Sequence, residues 1–316
     1  MSNSKLRSYV DAMRQASAHF TSENPDYIVA PMVGSVPFID VMAIVDRDFD
    51  PTKVVYMPAS SRINDVNKII RSWYESFLKD VVELPHRFPK VMGIDEVVSG
   101  CSIVRCVKSI DEAMNTFKRN IRQGLVERAH NRRNQGVALE ALREADQLTD
   151  SLYASEIAQA MSKVSNGLYD GRPELVRADS QVFIDAVNEV LNKKINYSSI
   201  GIEDSKVDDS ERVVEYRRIK SQGRVRPVPV ETIISMDRPE FCYPVFETTL
   251  TGNARKSYPK TGARVVSFHV EPQYLAFLEA IADYVGADKS RLGPANLTRI
   301  LETANKYLPA PESLNE

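Results

Sequence analysis

The amino-acid sequence predicts an α/β fold in which a parallel, twisted sheet is flanked by helices. Three short, largely apolar runs, at 27–30, 53–57 and 91–94, are each followed by a small or polar turn and then by apolar residues at helical spacing. Alternation of this kind is typical of parallel strands joined by crossover helices. Because the runs are apolar at nearly every position, we expect these strands to be covered on both faces.

The remaining elements follow from the same patterns, taken in chain order. Apolar residues at helical spacing predict a helix at 6–19 before the first strand and another at 66–78 after the second. From residue 103 to 168 the chain reads as helical almost throughout. The later elements that the sequence predicts are a helix at 179–193, extended segments at 198–204, 225–236, 241–246 and 265–270, and helices at 272–285 and 294–307.

Two regions are expected along the chain. Residues 1–250 should form the α/β domain, interrupted by a large helical insertion at about 111–195. Residues 251–316 should form a small α+β extension that opens with an exposed loop at 251–263. Within the insertion, the charged segment 119–143 is either a solvated helical face or a binding site for an anionic partner or a second subunit.

Charge and cysteine content exclude several classes of partner. The 316 residues include 41 Lys and Arg against 43 Asp and Glu, a formal net charge of −2 that gives no signal for nucleic acid or anionic membrane. Three cysteines without metal-ligand spacing argue against both a disulfide framework and a zinc site. The first residues lack the apolar core of a signal peptide, and no apolar stretch has the length of a membrane span. We therefore expect a cytoplasmic protein.

The most informative segment is 88–102, Phe-Pro-Lys-Val-Met-Gly-Ile-Asp-Glu-Val-Val-Ser-Gly-Cys-Ser. Its apolar run ends in two acids, Asp95 and Glu96, and a turn of small and hydroxyl-bearing residues at 99–102 leads into an amphipathic stretch. Ligands of parallel sheets bind at the carboxyl ends of the strands, and the first turn of a helix offers free N–H groups to a phosphate. The alternative is a solvated acidic turn that caps a helix through Ser99 or Ser102.

A second segment, 26–46, has a related order. A buried strand is followed by Met32-Val33-Gly34-Ser35, by Pro37, and then by a helix. Proline is favoured in the first turn of a helix, and a glycine in the preceding turn lets the backbone approach a ligand closely.

Together the two segments resemble the 5-phosphoribosyl-1-pyrophosphate (PRPP) loop and the pyrophosphate loop of the type I phosphoribosyltransferases. The resemblance is good over about 26–110 and loose over 197–236. It implies a phosphoribosyltransferase-like fold and a transferase of the glycosyltransferase class that acts in nucleotide metabolism. Such an enzyme moves the phosphoribosyl group of PRPP to a nitrogen nucleophile, most often a nucleobase, and releases pyrophosphate with the help of Mg²⁺.

The resemblance also implies a role for each matching residue. Asp95 and Glu96 are the implied catalytic acids, which would hold the ribose hydroxyls beside the developing positive charge. No residue is assigned as a metal ligand. The implied substrate-binding residues are Gly34, Ser35, Arg62, Val97, Val98, Ser99, Gly100, Cys101 and Ser102.

Three departures from the family pattern leave a second hypothesis open. Val33-Gly34-Ser35 stands where Arg-Gly-Gly is usual, Cys101 stands where glycine is common, and the helical pattern at 66–78 replaces the expected catalytic loop. The alternative is a non-catalytic member of the fold that senses a nucleotide or PRPP, or that acts as a regulatory subunit. A third hypothesis is an unrelated α/β binding protein. Family members often form homodimers, and the helical insertion is the candidate interface for a second copy or another protein.

Overall fold

The computed structural model of the chain describes residues 3–32, 34–59, 63, 65–81, 89–131, 197–231, 233, 245–250, 261–269, 272–288 and 295–308. The chain divides into two compact units. The first comprises Met1–Ser76, Lys90–Ile110 and Tyr197–Glu316, and the second comprises Phe77–Pro89 and Asp111–Asn196. Arg62, the predicted helix at 179–193 and most of the predicted insertion lie outside the described residues. The predicted domain boundaries therefore stay predictions.

A five-stranded sheet forms the centre of the first unit. In chain order its strands are β1 Tyr27–Met32, β2 Val54–Pro58, β3 Val91–Val97, β4 Tyr197–Asp204 and β5 Val225–Val230. The spatial order is β2-β1-β3-β4-β5, and every neighbouring pair is parallel. This arrangement confirms the predicted α/β class with a parallel sheet. The order is one of the two common in doubly wound sheets, which bind ligands where the order reverses.

The helix predicted at 6–19 is longer in the structure, and five α-helices among the described residues precede or connect the strands. They are α1 Asn3–Glu23, α2 Val36–Val45, α3 Val66–Val81, α4 Cys101–Asn131 and α5 Val214–Ser221. The helix predicted at 66–78 is confirmed as α3. Helix α4 begins at Cys101, two residues before the predicted helical stretch. Its first helical hydrogen bond runs from Val104 N–H to Gly100 O at 3.1 Å.

Alternate residues of each strand face opposite sides of the sheet. Ile28 of β1 and Ile94 of β3 belong to the core that α1 and α2 cover. On the other side, the ring of Tyr74 in α3 contacts that of Tyr197 in β4 with centroids 6.4 Å apart. Gly93 of β3 faces this side too. A Cβ on it would lie 2.1 Å from Tyr197 Oη, so the side chain of Tyr197 lies over β3 at the position where β3 has no side chain.

The C-terminal elements belong to the first unit rather than standing apart from it. They are β6 Val245–Leu250, β7 Thr261–His269, α6 Pro272–Val285 and α7 Ala295–Lys306. Strands β6 and β7 pair antiparallel in a separate two-stranded sheet. The predicted loop at 251–263 is wrong for 261–263, because Thr261 already pairs with Leu250 and pairing, rather than local composition, decides where this strand begins. The helix predicted at 272–285 is confirmed as α6.

Helix α7 satisfies the backbone of the edge strand β2. The hydroxyl of Thr303 accepts a hydrogen bond from Tyr56 N–H at 3.0 Å. The guanidinium of Arg299 donates from Nε to Val54 O at 2.5 Å and from Nη2 to Thr52 O. An edge strand otherwise exposes a row of unpaired N–H and C=O groups. These side chains bond some of those groups in place of a further strand. Among the described helices none is long and apolar enough to cross a bilayer.

We expect Thr303→Val to lower the free energy of unfolding by about 1–3 kcal/mol, because the isosteric change leaves the Tyr56 N–H without its acceptor. Urea denaturation followed by tryptophan fluorescence measures this, since Trp73 is the single tryptophan and is buried in the first unit. Thr303→Ser keeps the hydroxyl and should stay near the wild type. Equal stability of the valine and serine variants would show that the bond from Tyr56 N–H to the Thr303 hydroxyl does not contribute to stability.

Candidate functional site

Strands β1 and β3 separate at the point where the strand order of the sheet reverses. Their pairing runs from Tyr27 opposite Val91 to Val29 opposite Gly93 and then stops. On its other side β3 stays paired with β4 as far as Val97 opposite Glu203. The carboxyl ends of β1 and β3 therefore bound a crevice at the topological switch point, where doubly wound sheets bind their ligands. Both segments singled out in the sequence, Gly34-Ser35 and 95–102, follow these two strand ends.

Side chains satisfy the edge of β3 that β1 leaves unpaired. The buried Ser35 hydroxyl donates to Ile94 O at 2.9 Å. Two residues on, Glu96 N–H donates to Oδ1 of Asp95 at 2.9 Å. Because unpaired backbone groups are costly to bury, these two bonds allow the sheet to open without leaving Ile94 O and Glu96 N–H unsatisfied. The Ser35 side chain thus satisfies a backbone acceptor at the edge of β3, and its predicted contact with pyrophosphate stays a prediction.

The two adjacent acids point to opposite faces of the sheet. Asp95 lies on the α4 side, where its charge acts on the buried thiol of Cys106, and it is only 3% exposed. Glu96 is half-buried on the α1 and α2 side, where a Cβ on Gly34 would lie 2.9 Å from Glu96 Cδ. The strand alternation that separates them means that Glu96, rather than the pair, reaches the crevice.

The environment of Asp95 favours its protonated form. Burial raises the pKa of Asp95 to about 7, against the lowering effects of the Ser102 hydroxyl, the Glu96 N–H and the Arg105 charge. Its Oδ2 atom is buried and accepts no hydrogen bond of ordinary geometry from the described residues. The carboxyl group thus supports Glu96 through its Oδ1 atom while its own charge is suppressed by desolvation.

One donor of the Gly34-Ser35 loop is already used within the protein. Ser35 N–H already donates to Pro31 O at 3.3 Å. The neighbouring charges are negative, since Glu96 and Asp40 both act on the buried hydroxyl of Tyr9. Burial and these two carboxylates raise the pKa of Tyr9, and its hydroxyl has no hydrogen-bond partner within the described part of the chain.

The turn at 99–102 has the form of a helix N-terminal anion site. Gly100 has a φ of +83°, and the Ser99 hydroxyl accepts from Cys101 N–H at 3.3 Å. By helix geometry the next N–H groups, those of Ser102 and Ile103, have no intrahelical acceptor. Ser99 and Cys101 are exposed, whereas Val97 is buried and Val98 is 47% exposed.

The crevice therefore combines some of the predicted site residues and excludes others. It brings Gly34 against Glu96, with the 99–102 turn following the same strand end, and it separates Asp95 from them. Arg62 lies outside the described residues. Within the described ranges no group of three or more His, Cys, Asp or Glu side chains could hold a metal ion. The binding and catalytic roles of the named residues stay predictions.

Sequence reasoning missed two tyrosines at this site. Helical spacing marks Tyr9 as a buried residue of α1, but nothing local indicates that its hydroxyl lies near Glu96. Tyr216 of α5 packs against Gly100, and a Cβ on that glycine would lie 2.6 Å from Cβ and Cγ of Tyr216. More than a hundred residues separate Tyr216 from Gly100, so no local pattern could have connected them.

Comparison with known proteins found no matching family model, no matching curated protein and no matching solved structure. The interpretation of the crevice therefore rests on its geometry and on the residues themselves.

We expect the stability difference between the wild type and Asp95→Asn to depend on pH. Because the folded-state pKa of Asp95 is raised from 3.8 to about 7, the native state binds more protons than the unfolded state between these values, and the wild type loses stability as pH rises through them. The loss relative to the variant amounts to at most about 4 kcal/mol by pH 8.

Urea denaturation of both proteins between pH 4.5 and 8.5, followed through Trp73, measures the difference. Burial lowers the pKa of His19, which gives the opposite slope, but this residue is common to both proteins and cancels. A stability difference that stays constant across this range would mean that Asp95 is ionised throughout.

Proposed function

We propose that the chain is a phosphoribosyltransferase-like protein that binds PRPP in the crevice between β1 and β3 and transfers its phosphoribosyl group to a nitrogen nucleophile. The observation that carries the proposal is the convergence of the two family-like segments at the topological switch point. Gly34 follows β1, Glu96 lies near the end of β3, and the 99–102 turn follows β3. Sequence order alone does not require that these segments meet, so their meeting supports the resemblance.

In this proposal the 5′-phosphate of PRPP lies at the start of α4. The N–H groups of Ser102 and Ile103 and the exposed Ser99 hydroxyl donate to it, and the positive end of the helix dipole adds to the attraction. Glu96 accepts hydrogen bonds from the ribose hydroxyls. Asp95 acts as a positioning residue, because its Oδ1 atom holds the backbone N–H of Glu96. Val98, exposed beside the turn, offers an apolar contact to the ligand.

The chemistry requires positioning and charge rather than a protein nucleophile. The acceptor nitrogen forms a bond to C1 of the ribose as the bond from C1 to the pyrophosphate oxygen breaks, and both electrons of that bond leave with pyrophosphate. The proton on the acceptor nitrogen is released to solvent. The carboxylate of Glu96 stabilises the positive charge that develops on the sugar.

In the proposal, the substrate phosphates rather than protein side chains would hold Mg²⁺, which would supply charge neutralisation for the leaving pyrophosphate. The described residues offer no cage of three or more ligands, and magnesium sites that rely on substrate phosphates do not need one. The acceptor is expected to be a nucleobase-like molecule.

A second candidate function is binding without transfer, as in a sensor of PRPP or of a nucleotide. Two observations favour it. The N–H of Ser35 is already bonded to Pro31 O, and the Glu96 carboxylate lies against Gly34, where pyrophosphate would have to bind. Val33 also stands where a cationic arginine is usual. A nucleoside monophosphate, which has no pyrophosphate, avoids this repulsion.

We expect the wild type to bind PRPP with Mg²⁺ in isothermal calorimetry and to release pyrophosphate when an accepting nucleobase is present. Glu96→Gln should lower the rate of pyrophosphate release by about 100-fold or more, because it removes the charge that stabilises the transition state. Calorimetry with PRPP and a coupled pyrophosphate assay over a panel of nucleobases test both expectations. Glu302→Gln, at an exposed position of α7, is the matched control and should leave both unchanged.

Each outcome separates the hypotheses. Binding of PRPP or of a nucleoside 5′-monophosphate without pyrophosphate release supports the sensor. A folded wild type that binds neither compound contradicts a phosphoribosyl site and leaves an α/β protein whose partner must be sought elsewhere.

A further inference from the structure

A partly buried cluster of charged side chains and one tyrosine packs against the 99–102 turn through that tyrosine. We call it the Glu203 cluster; its members are Glu203, Asp209, Arg212, Tyr216 and Lys220. Glu203 is the penultimate residue of β4, at the carboxyl edge of the sheet, and the others belong to the connection to β5. Since two carboxylates balance two cations, the cluster is complete without a ligand charge.

Glu203 Oε1 is the acceptor on which the cluster converges. Tyr216 Oη donates to it at 2.6 Å and Lys220 Nζ at 2.8 Å. Arg212 Nη1 lies 3.6 Å from the other oxygen of Glu203 and 3.0 Å from Oδ1 of Asp209, which Lys220 also contacts at 3.1 Å. Burial, together with the bond to Glu203, raises the pKa of Tyr216, so its hydroxyl keeps the proton it donates. The ring of Tyr216 is thereby fixed at its outer end.

The inner end of the Tyr216 side chain supports Gly100. A Cβ on Gly100 would lie 2.6 Å from both Cβ and Cγ of Tyr216, so the tyrosine fills the space that a side chain at this position would need. Gly100 also has a positive φ, which disfavours any other residue. The conformation of the turn and the position of Tyr216 therefore depend on each other.

A backbone hydrogen bond from Val213, just before α5, also contacts the 99–102 turn. Val213 N–H donates to Ser99 O at 3.0 Å, and Val213 O accepts from Tyr216 N–H at 3.0 Å. Val213, which bonds the turn, is thus also the N-cap residue of α5, the helix that carries Tyr216. An ion pair between Lys108 of α4 and Glu215 of α5, at 3.2 Å, joins the two helices further on, but it is exposed and contributes little.

We propose that Tyr216, held by Glu203 and Lys220, is a positioning residue that fixes the 99–102 turn in the conformation that presents the first N–H groups of α4 to an anionic ligand. The ligand part of this inference rests on the proposed phosphate site. The conformational part does not, because the turn can be observed without any ligand.

Hydrogen exchange of the free protein tests the conformational part. The reporters are three bonded amides, those of Cys101, Val104 and Val213. We expect Tyr216→Leu to speed their exchange by about tenfold or more while the amides of β1 keep wild-type protection. Tyr216→Phe keeps the ring against Gly100 but loses the bond to Glu203, and its exchange should lie between those of the wild type and Tyr216→Leu. Tyr307→Leu removes a buried ring that packs on Trp73, away from the turn, and should leave the three reporters unchanged.

Two glycine variants provide a second test that leaves Tyr216 in place. Gly100 and Gly223 both have positive φ values, +83° and +72°, but a Cβ on Gly223 meets nothing within 4 Å. The two alanine variants therefore share the backbone strain and differ in the contact with Tyr216. We expect Gly100→Ala alone to speed exchange of the three reporters. Equal exchange in Gly100→Ala and Gly223→Ala, or unchanged exchange in a folded Tyr216→Leu, overturns the proposal.

The ligand part is tested with PRPP or a nucleoside 5′-monophosphate, whichever the wild type binds. Tyr216→Leu should weaken binding by about tenfold or more, with a smaller loss in Tyr216→Phe and no change in Tyr307→Leu. Wild-type affinity in a Tyr216→Leu variant whose turn is loosened contradicts the link between turn and ligand. If the wild type binds neither compound, the proposed function fails, and the exchange experiments still decide whether Tyr216 positions the turn.

Discussion

The candidate site depends on the separation of β1 from β3 after Val29 and Gly93. Opening a parallel sheet leaves N–H and C=O groups of the strand edge without partners, which is costly in a buried position. Here the Ser35 hydroxyl and the Asp95 carboxylate replace the missing strand at Ile94 O and Glu96 N–H. The crevice therefore exists because two short polar side chains substitute for a backbone ladder.

The same two bonds explain why the site is asymmetric. Because side chains alternate along a strand, satisfying Glu96 N–H with the preceding acid places Asp95 under α4 and Glu96 on the face of α1 and α2. Burial then raises the pKa of Asp95, while Glu96 remains half-buried beside Gly34. Two adjacent carboxylates that look equivalent in the sequence thus have different surroundings, and only one faces the crevice.

The edges of the first unit are completed by segments that lie far away in the chain. Arg299 and Thr303 of α7 bond the backbone of β2, and Tyr274 of α6 donates to Asp40 of α2. At the other side of the crevice, Val213 and Tyr216 support the turn before α4. The surroundings of the candidate site therefore include distant parts of the chain, since the start of α5 bonds the turn that follows β3 and α6 bonds the helix that follows β1.

The sequence by itself determined the fold class, most element positions and the two loops at the strand ends. Apolar runs and helical spacing are local signals, and they placed β1, β2, β3, α3 and α6 closely. Tertiary structure decided the start of β7 at Thr261, the split of Asp95 from Glu96 between two faces, and the contacts of Tyr9 and Tyr216. Strand pairing, strand alternation and packing between distant helices set these features. Periodicity can mark a residue as buried, but which charge or glycine it meets depends on elements that only the folded chain brings together.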